Sequence, residues 1–214
     1  VVTVYDVGAH AGHHYLSMEY MAGGDLEGWL AREGPLPWRT LLDVLRDAAS
    51  GLVFAESRGI VHRDIKPANL LIATSGVVKI LDFGLAKPTS GFVATDGASE
   101  LPTAVKTEEG VIVGTVAYMS PEQITMDPGI DYRTDTYSLG AILYEILSGH
   151  MPSEGLTVDE IVHKTLKVEP PKPSTLTELE VPERLEQLCM RCLAKDPDGR
   201  PAHMRDVLGE LQVD

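Results

Sequence analysis

The sequence predicts an α+β domain that is mainly α-helical. Its 214 residues are 43% hydrophobic and 23% charged, a balance typical of a chain that folds around a sizeable core. Apolar and polar residues alternate near the start, as in strands, whereas apolar residues recur at helical spacing over much of the remaining chain. These observations argue against a disordered or fibrous protein.

Strands come first in the predicted order. Residues 2–7 and 15–20 are predicted strands, joined by a loop rich in Gly and His. Asp25 is a suitable N-cap for the short helix that follows it. Apolar positions between 41 and 53 then predict a long helix, which ends at Gly59.

The middle of the chain predicts a β-hairpin followed by a long segment without periodicity. Short apolar runs at 69–72 and 77–80 flank the turn residues 73–76, which is the signature of a hairpin. Residues 85–119 are rich in Thr, Ser, Gly and Glu. A segment of this length without a pattern is either functional or disordered.

The last third of the chain is predicted to be helical. One helix carries an apolar stripe between 139 and 147, and Thr157 and Glu160 form a capping box at the start of the next helix. Two final helices are predicted over 182–193 and 201–211.

Charge and cysteine content exclude several classes of protein. The chain has 32 acidic and 18 basic residues and a net charge of −14, so no nucleic-acid partner is expected. Two cysteines, Cys189 and Cys192, are too few to cross-link the domain by disulfides, which indicates a reducing compartment. Their spacing on an apolar helix face predicts core packing.

No apolar run is long enough to span a membrane. We therefore expect no membrane contact within this chain and a cytoplasmic location, and leave open a membrane anchor in the full-length protein.

Two carboxylates, an amide and a lysine are predicted to surround the hairpin. Asp64, Lys66 and Asn69 precede it, and Asp82 follows it. Oxygen ligands such as those of Asn69 and Asp82 suit Mg²⁺. Asp64 is then left to accept a proton from an attacking hydroxyl, and Lys66 can offset charge on a phosphoryl group in transfer. The set is complete for one half of a phosphoryl-transfer site.

Five ordered motifs resemble those of the eukaryotic-type Ser/Thr protein kinase family, and residues 118–123 and 192–197 resemble its bacterial members more than its animal ones. The motifs lie at 62–69, 82–84, 120–122, 135–140 and 196–201. The resemblance implies a protein kinase-like fold, namely the large C-terminal lobe with two leading strands of the N-terminal lobe. It divides the chain into N-lobe strands at 1–18, a hinge at 19–25, and a C-lobe at 26–214 whose activation segment covers 82–122.

The resemblance implies transfer of the γ-phosphoryl group of ATP, with Mg²⁺, to a Ser or Thr hydroxyl of a protein substrate. Asp64 would be the catalytic base, and Lys66 would act beside it. Asn69 and Asp82 would bind the metal.

The resemblance also implies a nucleotide-binding hinge. The backbone at Glu19 and Met21 would meet the adenine, and Asp25 would lie near the ribose. Leu71 would form the apolar floor beneath the base.

Further positions are expected to act structurally. Asp135 would accept backbone N–H groups of the catalytic loop, as a buried carboxylate must, and Glu122 would pair with Arg200. Thr115 belongs to a Gly-Thr pair typical of the Ser/Thr-directed branch. His62 is predicted to be a packed residue, since an acid–base histidine would duplicate Asp64.

Regulation is predicted in the segment without periodicity. A phosphate on Thr107 could pair with Arg63, which is a cation next to Asp64, and so order the segment. Self-association for autophosphorylation would accompany this. Thr103, Thr95 and Ser99 are alternative acceptors.

The sequence contains neither the Gly-rich loop nor the V-A-x-K strand motif that the family carries before its hinge. We therefore expect a truncated catalytic domain. Three functions stay open: the large lobe of an active Ser/Thr kinase, an inactive lobe fragment that binds proteins, and a pseudokinase-like nucleotide binder.

Overall fold

The structure, a computed structural model, describes residues 1–10, 13–33, 38–81 and 116–212. Strand β1 (Val4–His10) pairs with β2 (His13–Met18), and β3 (Leu70–Ile72) pairs with β4 (Val78–Ile80), both antiparallel. The helices are α1 (Leu26–Glu33), α2 (Trp38–Glu56), α3 (Pro121–Ile124), α4 (Arg133–Ser148), α5 (Val158–Lys167), α6 (Glu183–Cys192) and α7 (Met204–Leu211). This order of elements confirms the predicted α+β class.

Helix α2 organises the main core by packing against α4, α7 and β4. Its buried residues recur every three or four positions, which confirms the predicted amphipathic helix. The helix is followed by Gly59, which has a φ of 68°, and the Ile60 N–H donates to the Ala55 carbonyl at 3.0 Å. A left-handed glycine after the last turn is a common helix ending, so the predicted end is also confirmed.

The strands of the first hairpin lie closer to its turn than predicted, since β1 begins at Val4 rather than at residue 2 and β2 ends at Met18 rather than at residue 20. Its ladder continues through Ala9 opposite His14 and His10 opposite His13, so the predicted Gly/His-rich loop is largely strand. Pairing of backbone groups across the hairpin favours extended residues there whatever their side chains. Gly8 lies within β1, where a Cβ would come within 2.5 Å of the Tyr15 ring.

The ends of two later helices also differ from prediction. Helix α7 begins at Met204 rather than at 201, after a 3₁₀ turn at Pro197–Gly199. At α5, Thr157 Oγ1 accepts the Glu160 N–H at 3.2 Å, but the Glu160 carboxylate accepts from Leu156 instead of Thr157. Only half of the predicted capping box therefore forms. Within the described residues, no helix has both the length and the apolar character that crossing a membrane requires.

Cys189 and Cys192 lie in the core between α6 and α4. Both are free thiols with at most 1% of their surface exposed, which confirms the predicted core packing. Burial raises the pKa of both thiols, that of Cys192 to about 12. Two buried, protonated thiols have little nucleophilic or metal-binding character.

Candidate active site

The predicted catalytic loop, residues 62–69, lies between α2 and the hairpin of β3 and β4. Arg63 has a φ of 68°, in the left-handed region that long side chains rarely adopt. Asp135, near the start of α4, accepts the N–H groups of His62 and Arg63, each at 2.8 Å. Asp135 is 3% exposed, and this burial raises its pKa to about 7. The buried carboxylate thus holds the turn that leads into Asp64.

His62 is fully buried beneath this turn. Its Nδ1 accepts the Asp64 N–H at 3.2 Å, and its Nε2 lies 2.8 Å from the Leu81 carbonyl. A backbone N–H only donates and a carbonyl only accepts, so the imidazole carries its hydrogen on Nε2. Both ring nitrogens are engaged with backbone, as in a packed histidine.

Asp64, Lys66 and Asn69 meet at one carboxylate oxygen. Lys66 Nζ lies 3.1 Å from Asp64 Oδ2, and Asn69 Nδ2 donates to the same oxygen at 3.1 Å. The Asp64 side chain is 33% exposed, so its carboxylate is accessible to solvent. Both groups contact Oδ2 and orient the carboxylate, so Oδ1 is the oxygen that these two side chains do not engage.

Asn69 is oriented by the same contacts. Its Nδ2 also donates to the Asp64 carbonyl at 2.7 Å, and both acceptors fix which atom of the amide is nitrogen. Oδ1 is therefore the atom directed away from Asp64. An amide oxygen presented in this way fits the hard-oxygen ligand set of Mg²⁺. Among the described residues there is no group of three or more His, Cys, Asp or Glu residues suited to a metal ion.

The predicted hinge is tied to the β3–β4 hairpin. The Glu19 carboxylate accepts from Lys79 Nζ at 2.7 and 2.8 Å and from the Thr3 N–H, and the hydrogen bond from Lys79 lowers the pKa of Glu19. The Gly24 carbonyl accepts from the Ile72 N–H at 2.8 Å. These contacts hold both ends of the hinge against the hairpin.

Asp25 and Leu71 lie beside each other at the end of the hinge, where they form an isolated antiparallel bridge. Asp25 Oδ1 accepts the Gly28 N–H at 2.7 Å, so its side chain caps α1 as predicted. Gly23, in the same turn, approaches β3 so closely that a Cβ would lie 2.3 Å from the Ile72 carbonyl oxygen.

Helix α3 is anchored by a buried ion pair. Arg200 donates to both carboxylate oxygens of Glu122, at 2.6 and 2.8 Å, and to the carbonyls of Ala194, Arg133 and Lys195. All five guanidinium N–H groups are therefore satisfied in an arginine side chain that is 0% exposed.

Gln123 also contacts this site, in a role that was not predicted from the sequence. Its Nε2 donates to the Arg63 carbonyl at 2.7 Å, which links α3 to the catalytic loop. The signal available in the sequence was the Ser120-x-x-Gln123 pattern of a capping box, which does form at the start of α3.

Three predicted site residues, Asp82, Thr107 and Thr115, lie outside the described residues, as do the alternative acceptors Thr95, Ser99 and Thr103. The nearest described neighbour of Asp82 in sequence is Leu81, whose N–H donates to the Asn69 carbonyl at 2.9 Å. The roles predicted for these three positions stay predictions.

The residues predicted for a protein kinase site thus include a lysine beside an oriented carboxylate and an oriented amide. The sequence profile described as the protein kinase domain matches residues 1–210, and the chain belongs to this family.

Curated proteins similar to this chain are named as serine/threonine-protein kinases. The chain is 38% identical over 202 residues to the serine/threonine-protein kinase PknL of Mycobacterium tuberculosis, covering 94% of this chain and 47% of that protein. It is 35% identical over 211 residues to a probable serine/threonine-protein kinase of Clostridium acetobutylicum, covering 99% of this chain and 30% of the relative. The chain is 36% identical over 204 residues to the serine/threonine-protein kinase PknB of Mycobacterium leprae, covering 94% of this chain and 31% of that protein. The chain thus spans less than half the length of these relatives.

Proposed function

We propose that the protein transfers the γ-phosphoryl group of ATP to Ser or Thr hydroxyls of protein substrates. The observation that carries the proposal is the Asp64 carboxylate, oriented by Lys66 and Asn69 through Oδ2 and one-third exposed. A carboxylate held in this way is suited to accept a proton from a hydroxyl. The names of the relatives, all serine/threonine-protein kinases, support the same reaction.

In the proposed reaction the substrate hydroxyl oxygen forms a bond to the γ-phosphorus. The bond between that phosphorus and the bridging β,γ-oxygen breaks, and ADP leaves with the electron pair. Asp64 accepts the hydroxyl proton on Oδ1, and the Lys66 ammonium faces the negative charge of the transferring group. The hydrogen bond from Asn69 and the ion pair with Lys66 keep Oδ1 aimed outward.

ATP and Mg²⁺ are the proposed cofactors. Asn69 through Oδ1 and Asp82 would hold the metal, which when bound neutralises phosphate charge. Leu81 reaches Asn69 through a backbone hydrogen bond, and this supports a shared site. The backbone of Glu19 and Met21, with Asp25 and Leu71 beside it, would receive the nucleoside.

The test is phosphate transfer from radiolabelled ATP by the natural full-length protein and its Asp64→Asn variant. Loss of the base lowers kcat by about 10²- to 10⁴-fold. Asp159→Asn, an exposed carboxylate on α5, is the matched control and keeps the wild-type rate. Equal rates for Asp64→Asn and wild type would refute the proposal. Binding of ATP and Mg²⁺ by a wild-type protein without turnover would instead assign a nucleotide-binding module, and failure to bind either would assign a protein-binding lobe.

Phosphorylation of Thr107 is the proposed regulation. Arg63 Nε is buried and has no hydrogen-bond partner among the described residues, which supports a missing anionic partner for this side chain. Mass spectrometry of the wild-type protein and of its Asp64→Asn variant, expressed in parallel, tests this. Phosphate on Thr107 of the wild type alone is the expected result, and absence of phosphate from Thr107 and from the neighbouring hydroxyls would contradict it.

Autophosphorylation is proposed to occur between two copies of the protein. Its rate per molecule would then rise with protein concentration, and a rate independent of concentration would refute self-association. A cytoplasmic location of this catalytic part is also proposed, supported by the two free thiols at Cys189 and Cys192.

A further inference from the structure

Gln123 holds its side-chain amide between two backbone groups of different segments. Its Nε2 donates to the Arg63 carbonyl at 2.7 Å, and its Oε1 accepts the Ser120 N–H at 3.0 Å. Each partner can play only one role, so the orientation of the amide follows from the contacts themselves. One side chain therefore caps α3 and reaches the catalytic loop.

The carbonyl that Gln123 holds belongs to the peptide unit that also carries the Asp64 N–H. Arg63 precedes that unit in a left-handed conformation, with a φ of 68°. Such a conformation persists only where the surroundings enforce it. Asp135 accepts the Arg63 N–H on one side, and Gln123 donates to the Arg63 carbonyl on the other. The backbone leading into Asp64 is thus held from both ends of Arg63.

Helix α3 is a firm support for this contact. Glu122 is bound to the buried Arg200 through both carboxylate oxygens. Ser120 Oγ lies 2.6 Å from Thr134 Oγ1, which joins the start of α3 to α4. A displacement of α3 would therefore act on the Arg63 carbonyl through Gln123.

We propose that Gln123 is a positioning residue for Asp64, which couples the placement of α3 to the orientation of the catalytic carboxylate. The proposal rests on the function proposed above, because it assigns Asp64 as the base. Gln123 itself touches only backbone among these contacts and acts through the Arg63–Asp64 peptide.

The informative variant is Gln123→Glu, which keeps the shape and the acceptor for the Ser120 N–H but replaces the donor to Arg63. The ionised carboxylate of this variant has no hydrogen to donate, whereas the neutral carboxyl group carries an O–H that can. At pH 8 we expect kcat at least about tenfold below wild type, with KM for ATP within about twofold. The deficit relative to wild type should narrow as the pH falls towards about 4.3, the ordinary pKa of a glutamate, where the carboxyl group gains its proton.

Thr125→Val is the matched control. Thr125 also lies at the end of α3, and its hydroxyl donates to the Pro121 carbonyl without contacting Arg63. This variant should keep the wild-type kcat at every pH. Thermal midpoints of both variants close to that of wild type would show that the domain keeps its fold.

Hydrogen exchange at the Asp64 amide gives a readout that does not need catalysis. Exchange should be faster in Gln123→Glu at pH 8 than in wild type, and unchanged in Thr125→Val. Wild-type kcat for Gln123→Glu at all pH values would overturn the proposal, as would a pH-independent loss with a lowered thermal midpoint. If wild type is itself inactive, the proposed function fails and hydrogen exchange alone decides whether Gln123 restrains the loop.

Discussion

Asp135 is a carboxylate that the fold keeps almost entirely out of water. It is 3% exposed, and its two oxygens accept the N–H groups of His62 and Arg63. Burial penalises the charged form, whereas the two N–H donors favour it. The first effect is the larger and raises the pKa of Asp135 to about 7.

This raised pKa predicts a pH-dependent stability. Between the ordinary pKa near 4 and the raised value, the folded state holds a proton that the unfolded state has lost, so stability falls as pH rises through this window. From pH 5 to pH 8 the unfolding free energy of wild type should fall by on the order of 2 kcal/mol relative to that of Asp135→Asn, which cannot titrate.

Urea unfolding of both proteins at several pH values measures this difference, with Asp159→Asn as an exposed carboxylate control. If the unfolding free energies of wild type and Asp135→Asn differ by the same amount from pH 5 to pH 8, Asp135 remains ionised in the folded protein.

Helices α4 and α6 approach unusually closely at one glycine. A Cβ on Gly140 would lie 2.5 Å from Cys192 Cβ and 3.4 Å from the Cys192 backbone. No rotation of a side chain relieves a contact with a Cβ or with backbone. The close approach sets the position of α4, which carries Asp135 to the catalytic loop.

Gly140→Ala is therefore expected to destabilise the protein, by about 1–3 kcal/mol, because the two helices must separate. Gly209→Ala on α7 is the matched control, since nothing lies within 4 Å of its added Cβ. That substitution should instead stabilise the protein by about 0.5–1 kcal/mol through helix propensity. Chemical denaturation of the pair measures both. Equal effects at the two glycines would show that packing at Gly140 is not limiting.

At the scale of the whole molecule, the ion pair between Arg200 and Glu122 connects α3 with the segment that precedes α7. The Arg200 and Glu122 side chains are 0% and 10% exposed, and every N–H of Arg200 is bonded. The Arg133–Asp198 pair is also long-range, but the Asp198 side chain is 84% exposed. Because the first pair is buried and the second is exposed, the two pairs should contribute differently to the free energy of unfolding.

Glu122→Ala should lower the unfolding free energy by about 3–5 kcal/mol, because it leaves the buried guanidinium without its counter-charge. Asp198→Ala should lower it by about 1 kcal/mol or less, since water screens an exposed pair. Thermal and urea unfolding of the two variants make the comparison. Similar losses in both would contradict the proposed anchoring role of Arg200.

Local features of the chain were predictable to different degrees. The hairpin of β3 and β4 and the amphipathic helix α2 followed from apolar patterns, because short-range periodicity determines both. The extension of β1 to His10 did not, since cross-strand pairing overrides the composition of a loop. The delayed start of α7 at Met204 was also missed, because a 3₁₀ turn competes with helix near Pro201.

By itself, the sequence determined the fold class, the family and the residue types available for chemistry, since motif order and periodicity are properties of neighbouring positions. Only the tertiary structure decided how the site is held. Asp135 reaches His62 across 73 positions, Glu122 reaches Arg200 across 78, and Gln123 reaches Arg63 across 60. Hydrogen bonds act over about 3 Å, so such partners are brought within range only when the intervening helices have packed.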